Sequence, residues 1–552
     1  MLLERLHQVS ERWFKGSPRP FVEHAVGEME KKWNEKNFFV IEAPTGYGKS
    51  TISATVALHS LIDDFKCIVA YPLRTLLEDQ FGKFRNLIDA DIAEKVVGKR
   101  YMHNYGSPYL IKPITLTTID TLSLTLFGIP PEELEKVVKD QSLGHYLFSW
   151  ASVVLSNLVL DEVHLLCDST KSLSFLAALM RIAESFGQKV VFMSATLPKA
   201  LKSKLSEVGK EKMEFISFDR EKDREFCDER SAKRYDIVVQ EVKRDEKFGK
   251  IFGWIRESEF PRILVVFNTV NEATEFYRAY GEKLREMSEN VLLVHSRFAE
   301  EDREKKIERI RKLREAKEFI IVSTQVIEAG IDVTSDCMIT DLAPANSLIQ
   351  RFGRFLRYNE REGKIYVWFE RAEKGYKVYD LDLALRTLDL LRKDKICVHL
   401  PDGNGYSKLI DSVYSEKDFR IDASISERFE SVFLHLENAS QKALEVFFEM
   451  EGSFVREGLQ VPVAGDLNLE LGTNFTRKLV PLPFEFFAEN RGKISGAVVE
   501  EDGLKRIDAS DKRLEFLRWK LTPQLLVRKM LRERIVAFLV SANYSPELGL
   551  VL

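Results

Sequence analysis

A short glycine-containing stretch near the start of the chain has the composition of a phosphate-binding loop. Residues 43–50 read Ala-Pro-Thr-Gly-Tyr-Gly-Lys-Ser and follow the apolar run at residues 38–41. Glycines let backbone N–H groups approach phosphate oxygens, and a helix that begins after the loop directs the positive end of its dipole at the anion. We expect the Lys side chain to reach the β- and γ-phosphates and the Ser hydroxyl to hold Mg²⁺. The expected nucleotide contacts are Thr45, Gly46, Gly48, Lys49, Ser50 and Thr51.

Two adjacent carboxylates, Asp161 and Glu162, come directly after a second apolar run at residues 158–160. In a parallel sheet, ligands bind at the carboxyl ends of the strands, so these side chains should lie beside the phosphate loop. We expect Asp161 to belong to the Mg²⁺ shell and Glu162 to orient and polarise the attacking water. This pair predicts hydrolysis of a bound nucleotide.

Three further polar residues are expected to couple that site to the rest of the molecule. His164 lies on the turn that leaves the carboxylate pair, and Ser194 and Thr196 end the strand-like run at residues 190–193. A capping or solvent-facing role is the alternative for His164. For the two hydroxyl residues, a simple strand-end cap is an equally good reading.

A group of arginines lies in the second half of the chain, at residues 350–357. Arg351, Arg354 and Arg357 recur every third residue, which predicts that they lie on one face of a helix. A glycine inside a helix costs about 1 kcal/mol relative to alanine, so Gly353 indicates a close approach. We expect Arg354 and Arg357 to act as arginine fingers on the γ-phosphate, with Gln350 and Arg351 at the border of the same cleft.

The elements that must position these residues alternate in type along the chain. Short apolar, β-branched runs are separated by helical segments, which predicts doubly wound α/β folding with parallel strands. We expect an α/β domain over residues 1–210, a connection at 211–234, a second α/β domain at 235–372 and an accessory domain at 373–552. The accessory domain has a mixed, mainly helical pattern, with helices at about 381–393 and 520–541 and irregular chain between them up to about 480.

Composition limits the possible classes of protein. At about 100–200 residues per domain, 552 residues predict three or four domains. The formal net charge of -4 argues against a histone-like basic surface, although a local basic groove remains compatible with it. No run of 18 apolar residues occurs and the N-terminus is charged, so we expect a cytoplasmic protein without a membrane partner. Five widely spaced cysteines predict neither a disulfide framework nor a cysteine-rich zinc site.

The four motifs in this order resemble those of a superfamily-two helicase of the DExH type. A narrower resemblance is to the CRISPR-associated type I interference helicases, and it rests on the segments at residues 293–298, 323–332, 409–414 and 544–550. The resemblance implies two tandem RecA-like domains with ATP and Mg²⁺ between them, and it adds Asp332 to the nucleotide site. It also implies recruitment to an RNA-guided surveillance complex and 3′→5′ movement on DNA.

The family usually joins an HD nuclease to the helicase. None of the nine histidines of this sequence is followed by aspartate, and the phosphate loop begins by residue 43. We therefore expect a stand-alone helicase subunit whose nuclease is a separate polypeptide.

Such translocases grip the nucleic-acid backbone and largely ignore base identity. Hydroxyl, amide and basic side chains at successive strand ends are the expected contacts with single-stranded DNA. They are Arg74, Thr75, Thr118, Asn268, Thr269, His295, Ser296, Arg297, Thr324 and Gln325.

The expected function is ATP-dependent translocation on single-stranded DNA and 3′→5′ unwinding for a nuclease partner. An RNA helicase or a DNA-repair helicase on the same fold is the nearest alternative. A non-catalytic assembly subunit that only clamps a nucleotide is a second alternative, and a nuclease in its own right is a third.

Overall fold

The structure is a computed structural model, and it describes the chain apart from residues 64, 102–103, 105, 140, 168, 371–377, 402–404, 435–438, 466–470 and 473–474. The chain divides into two units. The first unit comprises Met1–Arg224, Ser415–Leu459 and Glu515–Ile535, and the second comprises Glu225–Tyr414, Gln460–Leu514 and Val536–Leu552.

The first unit is built around a sheet of parallel strands. These are β1 (Phe38–Glu42), β2 (Lys66–Tyr71), β3 (Val97–Arg100), β4 (Ile114–Thr118), β5 (Ser156–Leu160), β6 (Val190–Ser194) and β7 (Met213–Ser217). Their order in the sheet is β3-β4-β2-β5-β6-β1-β7. Every residue of β1, β5 and β6 is buried, as expected for parallel strands covered on both faces.

Helices cover both faces of this sheet. They are α1 (Leu2–Phe14), α2 (Pro20–Lys32), α3 (Lys49–Ile62), α4 (Arg74–Arg85), α5 (Ala90–Val96), α6 (Ile119–Leu126), α7 (Leu134–Val138), α8 (Tyr146–Val154), α9 (Thr170–Ser185) and α10 (Lys199–Gly209). The helix after the phosphate loop, α3, is buried over most of its length. Its apolar and small residues are those of a central helix rather than an amphipathic one.

The second unit repeats the arrangement with six parallel strands. They are β8 (Arg234–Val242), β9 (Arg262–Val266), β10 (Val291–Val294), β11 (Phe319–Ser323), β12 (Cys337–Asp341) and β13 (Glu362–Glu370), in the order β10-β11-β9-β12-β13-β8. Its helices are α11 (Arg224–Ser231), α12 (Lys247–Arg256), α13 (Val270–Met287), α14 (Glu300–Lys312), α15 (Ala345–Phe352), α16 (Leu381–Lys393) and α17 (Tyr406–Val413). The two predicted α/β folds are confirmed. Residues 211–234, expected to be a connection, instead contribute β7 to the first sheet and the helix α11.

The C-terminal region differs most from expectation, because its residues divide between the two units. It carries the helices α18 (Ala423–Leu434), α19 (Ala439–Glu449), α20 (Phe484–Glu489) and α21 (Pro523–Arg532). It also carries the strands β14 (Gln460–Gly465), β15 (Val480–Pro483), β16 (Ile494–Glu501), β17 (Gly503–Asp508), β18 (Ile535–Val540), β19 (Asn543–Ser545) and β20 (Gly549–Val551). Five of these strands form a mixed sheet in the order β15-β14-β18-β16-β17. The helix expected up to residue 541 ends at Arg532, because the β-branched run Ile535–Val540 forms a strand.

A small hairpin at the end of the chain, β19 with β20, packs on the loop that follows β10 in the second unit. The Leu550 N–H donates a hydrogen bond to the Arg297 carbonyl over 2.9 Å, and the Ala299 N–H donates to the Tyr544 hydroxyl over 3.1 Å. Gly549 has a φ of +72°, and a Cβ atom there would lie 2.6 Å from the Arg297 carbonyl oxygen. The close approach of the two backbones therefore requires glycine at this position.

Within the described residues, every helix falls short of the length and apolar character that a bilayer crossing requires.

The hairpin contact predicts a difference between two glycines of the second unit. Replacing Gly549 with alanine should separate the hairpin from the loop and lower the free energy of unfolding by about 1–3 kcal/mol, as overpacking usually does. Gly503 is the matched control, because its φ of +118° is also positive but no atom of the described residues lies within 4 Å of its Cβ position. Urea unfolding of both alanine variants measures the difference, and equal midpoints would contradict the assigned contact.

Candidate nucleotide and nucleic-acid sites

The phosphate loop connects β1 to α3 and has the conformation that its glycines allow. Gly46 and Gly48 have φ values of 78° and 103°. The Lys49 side chain is buried, and its Nζ donates to the Ala43 carbonyl at 3.1 Å across the base of the loop. Thr51 is buried in the first turn of α3, whereas Thr45 and Ser50 are partly exposed.

Tyr47 anchors this loop, a role that the sequence analysis missed. Its side chain is fully buried against Phe21 and Phe218, and its hydroxyl donates to the Asp223 carboxylate at 2.5 Å. Burial and the Asp223 hydrogen bond raise the pKa of Tyr47, so the phenol stays protonated. An aromatic residue between two glycines of the loop was the available signal.

The predicted acidic pair lies at the end of β5, and the structure brings it to Lys49. Lys49 Nζ is 3.9 Å from Glu162 Oε1, and the Glu162 N–H donates to Asp161 Oδ1 at 2.9 Å. Burial, together with the neighbouring Glu162 carboxylate, raises the pKa of Asp161 to about 7, while Lys49 opposes the rise. Glu162 has a φ of 49°, a conformation that costs a non-glycine residue energy and is common at functional sites.

His164 links the acidic pair to the strand end of β6. Its Nδ1 lies 3.0 Å from Ser194 Oγ and 3.4 Å from Glu162 Oε2. Ser194 Oγ donates to the Thr196 carbonyl and accepts from the Thr196 N–H, so we assign the Nδ1 proton to His164 as the donor. Burial lowers the pKa of His164, which makes the neutral ring the resting form. The three residues expected to couple the site are therefore joined to it.

Glu42, at the end of β1, is a second functional candidate that sequence reasoning missed. It is buried, its Oε1 accepts from the Leu197 N–H at 2.9 Å, and its Oε2 accepts from Lys202 Nζ at 2.5 Å. These bonds hold the segment after β6 that contains Thr196. A charged residue that ends an otherwise apolar strand was the signal.

Arg351 is fully buried in the second unit, where all five of its N–H groups have partners. The acceptors are Glu328 Oε1, Thr340 Oγ1, the Asp341 carbonyl, Asn268 Oδ1 and the Tyr379 hydroxyl, at 2.8–3.1 Å. This leaves no donor for a nucleotide, in contrast to the expectation that Arg351 binds the cofactor. The Asn268 side chain is also hydrogen-bonded within the protein, because its Oδ1 accepts from Arg351 and its Nδ2 donates to the Leu342 carbonyl at 2.7 Å.

The other two arginines differ from one another. The helix α15 ends at Phe352, so the expectation that all three arginines lie on one helical face is wrong. Arg354 donates to the carbonyls of Ile327 and Glu328 at 3.0 and 2.8 Å and thereby shapes the loop after β11. Arg357 forms an ion pair with Asp332, with 3.5 Å between Arg357 Nε and Asp332 Oδ1. The Nε and Nη1 atoms of Arg357 make no hydrogen bond with the described residues.

Two other predicted residues are close to these arginines. Gln350 is buried on α15, and its Nε2 has no hydrogen-bond partner among the described residues. Burial would raise the pKa of Asp332, but the Arg357 guanidinium and the Tyr358 hydroxyl lower it below its ordinary value. Asp332 is therefore ionised near neutral pH and holds Arg357.

The predicted nucleic-acid contacts fall into two groups. Those that stay partly exposed are Arg74, Thr75, Thr269, Ser296, Arg297 and Gln325, and those that are buried are Thr118, Asn268, His295 and Thr324. The Thr118 Oγ1 caps α6 by accepting from the Thr121 N–H. The Arg297 guanidinium lies 3.9 Å from the centre of the Phe486 ring.

His295 serves the terminal hairpin and is not a surface contact. Its Nε2 is 3.1 Å from the Leu548 carbonyl, and its Nδ1 accepts from the Arg297 N–H at 3.2 Å. A neutral ring with its proton on Nε2 satisfies both bonds. Burial and the nearby Arg297 charge lower the pKa of His295 to about 3, in agreement with that assignment. The hairpin that buries it comes from the far end of the sequence, so no local pattern could show this.

Comparison with known families identifies the class of protein. Residues 28–203 match the family model of DEAD/DEAH box helicases. Residues 260–360 match the model described as "CRISPR-associated nuclease/helicase Cas3, C-terminal". These matches agree with a phosphate loop beside an Asp-Glu pair, and together they indicate the class of DEAD/DEAH box helicases.

The individual relatives with similar sequences include CRISPR-associated nuclease/helicases. The chain is 25% identical over 417 residues to the CRISPR-associated nuclease/helicase Cas3 of Methanothermobacter thermautotrophicus, covering 68% of this chain and 46% of the relative. It is 24% identical over 446 residues to a putative CRISPR-associated nuclease/helicase Cas3 of Methanocaldococcus jannaschii, covering 74% and 56%. The chain thus spans about half the length of these curated relatives. The two matched segments and these relatives support a Cas3-like helicase of the DEAD/DEAH type.

A solved structure supports the fold. The crystal structure of T. fusca Cas3-AMPPNP superimposes with a TM-score of 0.68 at 15% identity, over 99% of this chain and 71% of that one. The predicted pair of RecA-like domains is confirmed by this match.

The protonation of His295 predicts a pH-dependent contact. A histidine whose pKa is lowered by folding contributes stability above its unfolded pKa of 6.5, and that stability is lost as the pH falls toward 3. The free energy of opening the hairpin should therefore decrease by about 1 kcal/mol per pH unit below 6.5.

Hydrogen exchange of the Leu550 amide, corrected for intrinsic rates, measures this opening at pH 7.5 and 5.5. The matched variant is His295→Gln, which keeps a donor for the Leu548 carbonyl but does not titrate. Parallel pH dependence in the wild type and this variant would show that His295 is not responsible.

Proposed function

We propose that the chain couples ATP hydrolysis to movement along single-stranded DNA and unwinds DNA with 3′→5′ polarity. The observation that carries the proposal is the convergence of Lys49, Asp161 and Glu162 at the carboxyl edge of the first sheet. This arrangement can bind a triphosphate and place a carboxylate beside it. The candidate DNA-backbone contacts at other strand ends would let the protein hold the single strand along which it moves.

Each residue of the site has a task in this proposal. Lys49 offsets charge on the β- and γ-phosphates, and Glu162 orients and deprotonates the attacking water. Arg357 contacts the γ-phosphate and reports its presence, while Arg354 keeps the loop at residues 325–331 in shape. His164, Ser194 and Thr196 transmit the structural change that accompanies ATP hydrolysis from Glu162 to the end of β6.

The residues present fit Mg²⁺. Asp161 and Ser50 offer oxygen ligands, which Mg²⁺ prefers. Among the described residues, no group of three or more His, Cys, Asp or Glu side chains could hold a metal ion. Nucleotide phosphates and water would therefore complete the shell. When bound, Mg²⁺ supplies charge stabilisation for the γ-phosphoryl group during its transfer to water.

We further propose that the protein works in type I CRISPR interference, in the cytoplasm, with an RNA-guided surveillance complex and a separate HD nuclease as partners. The relatives' names carry the CRISPR association.

Substitutions at the nucleotide site should stop hydrolysis. We expect Lys49→Ala, Asp161→Asn, Glu162→Gln and Arg357→Ala to lower ATP turnover by at least about 100-fold, because general base and charge stabilisation each contribute that much. Glu162→Gln should still bind a fluorescent ATP analogue. Glu214→Gln is the control, since Glu214 is also a partly buried, ion-paired carboxylate of the same unit. Normal turnover in the Glu162 variant would refute the site, and a wild type without multiple turnovers would indicate a nucleotide clamp.

The choice of nucleic acid is tested by stimulation of the ATPase. Single-stranded DNA should stimulate turnover more than single-stranded RNA of the same length and sequence. Strand displacement should require a 3′ overhang and fail with a 5′ overhang. Preference for RNA, or displacement from 5′ overhangs, would favour the RNA-helicase or repair-helicase alternative. Pull-down with the products of neighbouring genes tests for the HD nuclease.

A further inference from the structure

Two loops of the first unit, both expected to contact DNA, are neighbours in the sheet. Pro72 and Arg74 follow β2, and Thr118 and Asp120 follow β4, with Tyr71 paired to Thr118 in the register of the two strands. Both loops lead directly into helices, α4 and α6, whose N-terminal N–H groups attract anions. They form one edge along which a phosphate backbone could run.

One arginine of the C-terminal region joins these loops. Arg456 belongs to the same unit, and its Nη2 donates to the Pro72 carbonyl at 3.0 Å and pairs with Asp120 Oδ2 at 2.7 Å. A single guanidinium thus fixes the distance between loops that are 48 residues apart in sequence. No motif of the sequence pointed to Arg456.

The backbone of Arg456 is itself held in place. Its N–H donates to Ser453 Oγ at 2.9 Å, and its carbonyl accepts from Lys171 Nζ at 2.9 Å. The preceding residues Phe454 and Val455 are buried, with the Phe454 ring 4.9 Å from Phe127, the residue after α6. The guanidinium is therefore presented from a rigid position, which lowers the entropic cost of binding a ligand with it.

Charge gives this position a function beyond packing. Asp120 lies in the first turn of α6, where its carboxylate would repel a phosphate approaching the helix N-terminus. Arg456 neutralises it, and its own side chain is 47% exposed, with Nε and Nη1 making no hydrogen bond to the described residues. Those groups remain available for a phosphate oxygen, to which arginine binds well.

We propose that Arg456 is a DNA-backbone-binding residue, which holds the two loops in register and offers its guanidinium to a phosphate between them. This proposal rests on the proposed function as a single-stranded-DNA translocase. It assigns the segment around residues 450–456 to the nucleic-acid surface of the first unit. Binding through it should be independent of base sequence.

The test is fluorescence anisotropy of the full chain with a labelled 25-nucleotide single-stranded DNA over a range of salt concentrations. Arg456→Ala should weaken binding about five- to ten-fold and reduce the slope of log affinity against log salt by about one, as loss of one phosphate contact does. Arg456→Lys should restore the slope, because it restores the charge. Oligonucleotides of different base composition should give the same change.

Two further variants separate contact from structure. Arg428→Ala is the matched control, since Arg428 is a half-exposed arginine on α18 of the same unit and is ion-paired to Glu449 rather than to either loop. It should bind DNA as the wild type does. Asp120→Asn should bind DNA at least as tightly as the wild type, because it removes a repulsive charge and leaves Arg456 in place.

Each outcome has one meaning. Equal affinity and slope for the wild type and Arg456→Ala would overturn the proposal. Weakening by Asp120→Asn to the same extent as by Arg456→Ala would also overturn it, because the pair would then be only a structural link. A wild type that does not bind single-stranded DNA would instead refute the proposed function.

Discussion

The constraint on which this protein depends is that a parallel strand buried on both faces can carry charged side chains only where it ends. In the first unit, β1, β5 and β6 are buried throughout; β1 ends in Glu42, β6 ends in Ser194, and Asp161 directly follows β5. These strands are adjacent, so their ends meet at one edge of the sheet. The phosphate loop, the acidic pair and the coupling residues are together because that edge is where the apolar layer stops.

In the second unit, polar groups at strand ends are buried by the surrounding loops, and each would be destabilising without a hydrogen-bond partner. Arg351 supplies these partners by donating to five acceptors on four different segments. Removing such a buried charge would leave its partners without hydrogen bonds, which is strongly destabilising. A motif arginine can therefore be indispensable without touching a ligand. Arg357, by contrast, keeps two nitrogen atoms without hydrogen bonds to described residues and remains a candidate for contact with nucleotide.

Local patterns predicted much of the molecule and failed where distant segments meet. Apolar runs located the central strands of both sheets, and helical spacing located α16 at the expected residues. The five-stranded C-terminal sheet was missed because β14 pairs with β18, a strand about 70 residues later. His295 was predicted as a nucleic-acid contact because nothing near it in the sequence indicates the terminal hairpin that covers it. Tyr47 and Glu42 were visible in the sequence, but their partners were not.

The sequence by itself determined the class of protein, because phosphate binding and water activation require particular residue types at short spacings, and those spacings lie within single loops. It also determined that both halves are α/β, since parallel strands need continuous apolar runs. Only the tertiary structure decided which of the polar residues form hydrogen bonds or ion pairs with one another. That depends on hydrogen bonds between segments hundreds of residues apart, as with the His295 ring and the Leu548 carbonyl, or Arg456 and the loops after β2 and β4. Such pairings leave no periodic trace in a single sequence, because each is one contact rather than a repeated one.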